Sequence, residues 1–454
     1  MLHSDKKSVS SINQEEYGAV KRPSYFIPAA LVTTLFFLWG FSYGLLDTLN
    51  KHFRNVLGIS TTMSTFMQVA YFGAYLVFCI PASYICKKIG YKKTIIFGLF
   101  LYVIGALCFY PSAVYLSFGG FVGSLFIIAC GICTLETCAN SYITIVGDRK
   151  NASLRINIAQ SFNGIASVLA PIVASFAFFG GESEDDVVGG SLESVKWTYV
   201  GVAGGVFFIG VLFCFAHIPE IDEEAVMLAE SKETGEIVRR ASLYSPHLVL
   251  GAISQFLYVG GQVGVASMFL FYASDVGHIS DSKGSILLSV ALGCFTIGRF
   301  VGIGLLKKFR PEHLLAAFSL GAIITMVFII AMKTPGTTYA LLVLMFFESI
   351  IFPTIFSLGT KDLGRNHKRG SAFIIMGTAG GACLPPIQAV VHDHTNVNIS
   401  FIVPLIAFVF VFGYAIIGHT WIKYVNEPLA DTSSINQETF EDKLVVVKTE
   451  NVRQ

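Results

Sequence analysis

Residues 81–95 read PASYICKKIGYKKTI, and residues 298–315 read GRFVGIGLLKKFRPEHLL. Each is the small-residue end of an apolar run, then a basic pair, then a short turn into the next apolar run. The first closes the second apolar run of the chain and the second closes the eighth, so the chain reads as two copies of one plan. A helix needs about 20 apolar residues to cross a bilayer, and about twelve runs reach that length. They lie near 27–50, 62–86, 91–112, 116–146, 153–179, 197–217, 247–273, 283–305, 312–332, 338–359, 370–391 and 399–424. Lipid admits only helices or closed barrels, and runs of this length fit helices.

Composition points the same way. Of 454 residues, 54% are hydrophobic and only 13% charged, where a soluble domain carries about 25% charged residues. Mean hydropathy is +0.65. The 43 glycines suit membrane helices, which tolerate glycine better than soluble ones. A net charge of +1 gives no reason to expect nucleic acid. The nine cysteines all fall in apolar runs, and the CGIC pair (Cys130, Cys133) has no second pair or histidine cluster to complete a metal or redox centre. Packing residues, with no disulfide framework, metal or cofactor, are expected. The polar start of the chain lacks the apolar core of a cleavable signal.

Lysine and arginine alternate from one side to the other. The connections after even-numbered runs hold Lys87, Lys88, Lys92 and Lys93; Arg149, Lys150 and Arg155; Lys232, Arg239 and Arg240; Lys307, Lys308 and Arg310; and Lys361, Arg365, Lys368 and Arg369. The opposite connections hold only Lys51, Arg54, Lys196, Lys283 and Lys333, and one of them, 180–196, is acidic. The positive-inside rule puts the even connections and both termini in the cytoplasm. The expected organisation is a tail (1–25), a six-helix half (26–217), a charged cytoplasmic loop (218–246), a second six-helix half (247–425) and a tail (426–454). Parallel six-helix repeats with a substrate site between them at mid-membrane are the major facilitator arrangement. The fold class is therefore an all-α membrane protein of twelve helices in two pseudo-symmetric halves.

Few ionisable residues interrupt the runs: Asp47, Glu136, Arg299 and Glu348. An acid at the centre of a membrane helix costs about 2.5–3.5 kcal/mol on insertion scales and usually faces a bundle interior. A carboxyl in a low-dielectric interior also takes up a proton more readily, as a proton-coupled carrier requires. Glu136 stands mid-run with Asn140 one turn later on the same face. A neutral, protonated Glu acting as glue between helices is the plainer alternative, though Gln would do that more cheaply. Asp47, with Tyr43 one turn before it, fits an outer interface as well as an interior site by run length alone. Glu348 reads equally as a third protonatable site or as a locally paired residue. Arg299 is assigned to the loop after its helix. Asn157, Gln160 and Asn163 form one stripe on the fifth run, and Gln255, Tyr258 and Gln262 another on the seventh. Such amides and phenols suit a polyhydroxylated ligand, and helix–helix hydrogen bonding is the rival use. The glycine clusters VGVAGG (200–205) and GTAGG (377–381) are read as close packing and hinging, and Pro353, Pro385 and Pro386 as kinks.

With these residues in view, the sequence resembles the fucose–galactose–proton symporter family of the major facilitator superfamily. The matching stretches are FFLWG (36–40) with Asp47, YFGAY (71–75), IPASY (80–84), KKIGYKK (87–93), LETCANSYITIVG (135–147), RINIAQSFN (155–163), QFLYVGGQ (255–262), GRFVG (298–302), PTIFSLGTKDLG (353–364) and GSAFIIM (370–376). The resemblance implies proton-driven uptake of a hexose or deoxyhexose by alternating access. It makes Glu136 the proton-coupling carboxylate and Asp47 an interior acid at the sugar site, and it puts Gln160 and Asn163 at or near the cavity. Departures from the fucose-transporting members fall at Tyr43, Gly44, Leu46, Ser141, Ala266 and Glu348, which shifts the expectation away from fucose itself.

The sequence thus predicts a non-enzymatic, multi-pass carrier of the plasma membrane, monomeric, whose partners are a sugar, a proton and the bilayer. Tyr43, Asp47, Asn140, Gln160, Asn163, Gln255, Tyr258 and Gln262 are its candidate sugar contacts, and Glu136 with Asp47 its proton path. Basic loops at 87–93 and 307–310 are expected to latch the halves together. A proton-independent facilitator for another neutral solute, such as an amino sugar, and a non-transporting sugar sensor are the alternatives. Asn398-Ile399-Ser400 is a glycosylation sequon on the expected outer side.

Overall fold

Apolar runs that must hide their backbone polar groups from lipid close them within helices. The computed structural model describes residues 26–57, 61–147, 149–179, 192–221, 227 and 240–421, with the backbone alone for 43, 45–57, 61–65, 171–172, 174–179, 192–194, 281–282 and 419. The first six helices are α1 (Phe26–Leu57), α2 (Thr61–Ile89), α3 (Tyr91–Val114), α4 (Phe118–Ile145), α5 (Ala152–Phe179) and α6 (Leu192–Phe215). Then come α7 (Pro246–Asp275), α8 (Asp281–Leu306) and α9 (Pro311–Ala331). The last three crossings are each built of two pieces: α10 (Ala340–Glu348) with α11 (Ile351–Gly359), α12 (His367–Met376) with α13 (Gly380–His394), and α14 (Val397–Ser400) with α15 (Ile402–Ile417). Ten crossings among the described residues are long and apolar enough to span a bilayer, and α1 and α5 bring the set to twelve. The tails and most of the central loop and of the 180–196 connection lie outside the described residues.

The breaks have local causes. Pro353 has no N–H to give to the carbonyl of Ser349, four residues back, and the helix parts at Ser349–Ile350. By contrast α13 runs straight through Pro385 and Pro386, and the break in that crossing falls two turns earlier, on a 3₁₀ turn at Gly377–Ala379. The two glycine clusters also part company. A Cβ on Gly380 would strike the carbonyl of Phe256 on α7, and one on Gly381 would lie 2.8 Å from the Phe72 ring on α2. Gly201, Gly204 and Gly205 face open space instead, so the expected close packing holds for GTAGG and not for VGVAGG. Gly90, at φ 87, makes the tight turn from α2 to α3 that an L side chain would resist.

Large apolar side chains lie exposed along the outer helices, among them Phe207 and Phe208 on α6, Ile324 and Val327 on α9, and Ile406 and Val409 on α15. Such faces suit lipid. On α4, by contrast, every residue from Ile128 to Ile145 is buried. The halves meet where α2 packs on α12 and α13, and where α5 packs on α8 and α11. Trp39 on α1 and Phe352 on α11 close the middle, with ring centroids 5.7 Å apart.

At the basic end the halves are tied together. Arg149 pairs with Asp362, and Ser153 hydrogen-bonds Ser357. Thr144 meets His367 at 3.1 Å. Lys368 donates to the Cys86 carbonyl at 3.2 Å, sits 3.8 Å from Glu220, and lies 4.1 Å over the Tyr91 ring. These ties come from the connections after α4 and α11 and from the start of α12, and the 87–93 loop enters them through the Tyr91 ring under Lys368. Lys92, in the same loop, turns to its own half and donates to the Cys214 carbonyl at 2.9 Å.

All nine cysteines are free thiols. Cys133 meets Cys79 on α2, at 2.7 Å between sulfurs, rather than Cys130. Among the described residues no cluster could hold a metal ion. Asn398 is buried, its amide nitrogen donating to the Tyr272 hydroxyl at 3.2 Å and to the Ile329 carbonyl at 2.9 Å. The sequon is closed in the folded chain.

Candidate translocation site

The buried helix α4 brings Glu136 to a position enclosed by Leu35, Phe36 and Trp39 of α1, with Leu135 and Ala139 of its own helix. The free space there is about 10 Å³, at the lower limit for one water molecule. The Tyr75 hydroxyl on α2 and the Asn140 amide lie beside the carboxyl without completing a hydrogen bond of regular geometry. Asn140 is wholly buried, and its backbone carbonyl accepts from Thr144 at 2.9 Å. The lining is thus apolar around one carboxyl, with the polar ends of Tyr75 and Asn140 beside it. Burial of that kind, without full satisfaction, is rare in native interiors and calls for an explanation.

A second cluster joins the halves. Arg299, assigned from sequence to the loop beyond its helix, stands about two turns inside the end of α8 and is buried. Its guanidinium donates to the Gln160 carbonyl and, at 3.1 Å, to Asn163 Oδ1, both on α5. It also lies 4.7 Å over the Phe295 ring. Gly40 lets α1 approach Asn163 so closely that a Cβ there would meet its carbonyl. The loop assignment is thus corrected: Arg299 lies about two turns before the end of α8, and the packing of α8 on α5 takes its side chain into the bundle. Asn157, the third member of the stripe, donates to the Ser153 carbonyl at 2.8 Å, within α5.

The seventh-run stripe divides. Tyr258 donates to the Glu348 carbonyl oxygen at 2.7 Å, with half-buried Gln262 beside its hydroxyl. Gln255 is fully buried against Gly377, and neither atom of its amide is hydrogen-bonded. The side chains of Tyr43 and Asp47 lie outside the described residues, though the backbone of both belongs to α1. Reading of the sequence missed Tyr75 and Trp39. Tyr75 had a signal, since it is a phenol in an apolar run. Trp39 had its size and its place in FFLWG.

Two six-helix sets facing each other across buried acids, amides and one buried arginine define a membrane carrier. The chain belongs to the Major Facilitator Superfamily, which its residues 31–386 match, and is a transporter, not an enzyme. It is 32% identical to the glucose/galactose transporter of Brucella abortus, over 90% of this chain and 98% of that one. To the L-fucose-proton symporter of Escherichia coli it is 31% identical, over 89% and 97%. The solved outward conformation of the transporter FucP superposes with a TM-score of 0.74 at 29% identity, covering 87% of this chain and 99% of that one. The proton:xylose symporter XylE, at 13% identity and a TM-score of 0.64 over 85% and 94%, shares the fold.

Proposed function

We propose that the chain is a proton-coupled symporter for a hexose or deoxyhexose of the fucose, galactose or glucose class. The observation that carries this reading is Glu136, a carboxyl enclosed at the centre of the first half without a completed hydrogen bond, in a chain about a third identical to sugar carriers. With the basic end in the cytoplasm of a plasma-membrane protein, the ties at that end close the inner gate. Protonated carrier takes sugar from outside between the halves 26–217 and 247–425, rocks, and releases sugar and then proton inward. Asp47 is assigned the sugar-site acid and Glu136 the coupling carboxylate. Tyr43, Asn140, Gln160, Asn163, Gln255, Tyr258 and Gln262 supply neutral donors and acceptors to a ligand rich in hydroxyls. The carrier works as a monomer in the bilayer.

Uptake of labelled fucose, galactose, glucose and an amino sugar into proteoliposomes at two external pH values tests the reading. Accumulation of at least one sugar should rise as the external pH is lowered below the luminal pH. Glu136→Gln should sharply lower accumulation while keeping exchange across equal sugar concentrations. Wild-type accumulation in that variant would remove Glu136 from the proton path.

A further inference from the structure

The proposed proton path uses acids of the first half alone, yet the second half holds one that it leaves idle. Glu348 closes α10, is wholly inaccessible to solvent, and has no hydrogen bond to either carboxyl oxygen. The elements packed against α10 offer it little. On α9 the buried side chains are apolar or hydroxylated, with no ionisable group among them. On α7 the titratable neighbour is Tyr258, whose hydroxyl is given to the Glu348 carbonyl oxygen. On α8 Gly298 lies against the Phe346 carbonyl and Ser349, and the next residue is Arg299. Tyr258 has both Glu348 and Arg299 within electrostatic reach. An ionised carboxylate with no donor at this depth costs several kcal/mol. With the basic end closed, Glu348 is therefore held as the neutral acid.

Arg299 is held by the other half, although its Nε has no hydrogen bond. Its acceptors are the Gln160 carbonyl and Asn163 Oδ1 on α5. Any rocking that parts the halves at the basic end draws α5 away from α8. The guanidinium would then keep only the Phe295 ring, and a buried cation left without an acceptor is as costly as a buried anion. Within the described interior of α7 to α15, Glu348 is the acid that could receive it.

We propose that Glu348 and Arg299 form a second proton switch: opening of the basic end strips Arg299 of its α5 acceptors, and Glu348 ionises to pair with it. The O–H bond of Glu348 breaks, its electron pair stays on the carboxylate, and the proton leaves to the water admitted at the basic end. The inference rests on the symport reading and adds one proton per sugar to those carried by the first half.

The test is the number of protons entering per labelled sugar, read with a luminal pH dye in liposomes holding the full chain. The probe is whichever of fucose, galactose or glucose the unmodified chain concentrates. Glu348→Gln, isosteric with the neutral acid, and Arg299→Gln, which removes the cation, should each move one proton fewer per sugar. Steady-state accumulation should fall about tenfold for each pH unit of imposed gradient. Equal-concentration exchange checks that each variant is folded, and if Arg299→Gln fails that check, Glu348→Gln decides alone. An unchanged ratio in a folded variant overturns the switch. If the unmodified chain concentrates none of the three sugars, it is the symport reading that fails.

Discussion

Asn163 occupies the position where one amide holds a buried cation of the opposite half. A hydrogen bond to a charged group contributes about 1.5–3 kcal/mol. Asn163→Ala should therefore loosen the closed basic end, and a cysteine placed at Ser357 should react with a thiol reagent about tenfold faster or more in that background. An unchanged labelling rate would show that Arg299 finds another acceptor. The burial of Glu136 was legible in the sequence because it stands mid-run among apolar and small residues. That of Arg299 was not, although it stood in plain view. Position along a helix can be counted, but the reach of a long side chain into a neighbouring half is fixed only by which helices touch. The same holds for Tyr75, which becomes a partner of Glu136 only when α2 lies against α4.

At the scale of elements, run length alone gave the helices, because backbone satisfaction in lipid leaves one solution for a stretch of that size. Their interruptions were half legible. Pro353 breaks its crossing where the missing N–H dictates, whereas Pro385 and Pro386 do not, since the 3₁₀ turn at Gly377–Ala379 has already taken up the bend. Composition also could not tell one glycine cluster from the other, for the difference lies in which face meets a neighbour. Gly380→Ala should cost about 1–3 kcal/mol by forcing a methyl onto the Phe256 carbonyl and should lower the melting temperature of the detergent-purified protein. Gly204→Ala, facing open space, should leave it unchanged or raise it slightly through helix propensity, worth up to about 1 kcal/mol. Equal effects at the two sites would contradict this division.

For the whole molecule, the echo between residues 81–95 and 298–315 was enough to read two halves, and charge alternation enough to separate the two ends. Where the halves are fastened was not readable, because Arg149 with Asp362 and Ser153 with Ser357 are pairs more than two hundred residues apart in sequence. Those partners make the fastening testable. Ser153→Cys with Ser357→Cys should form a disulfide under mild oxidation, stop transport, and regain it with reductant, while either single variant stays active under oxidation. Transport that survives a completed cross-link would show that the basic end need not open. The closed sequon at Asn398 carries a different consequence for any host that attaches glycans. Such modification acts on the chain before it folds, and a sugar on that nitrogen would displace the bonds to Tyr272 and Ile329. A glycan-bearing molecule and a mature one are then mutually exclusive, so the carbohydrate content of a preparation would count its failed molecules.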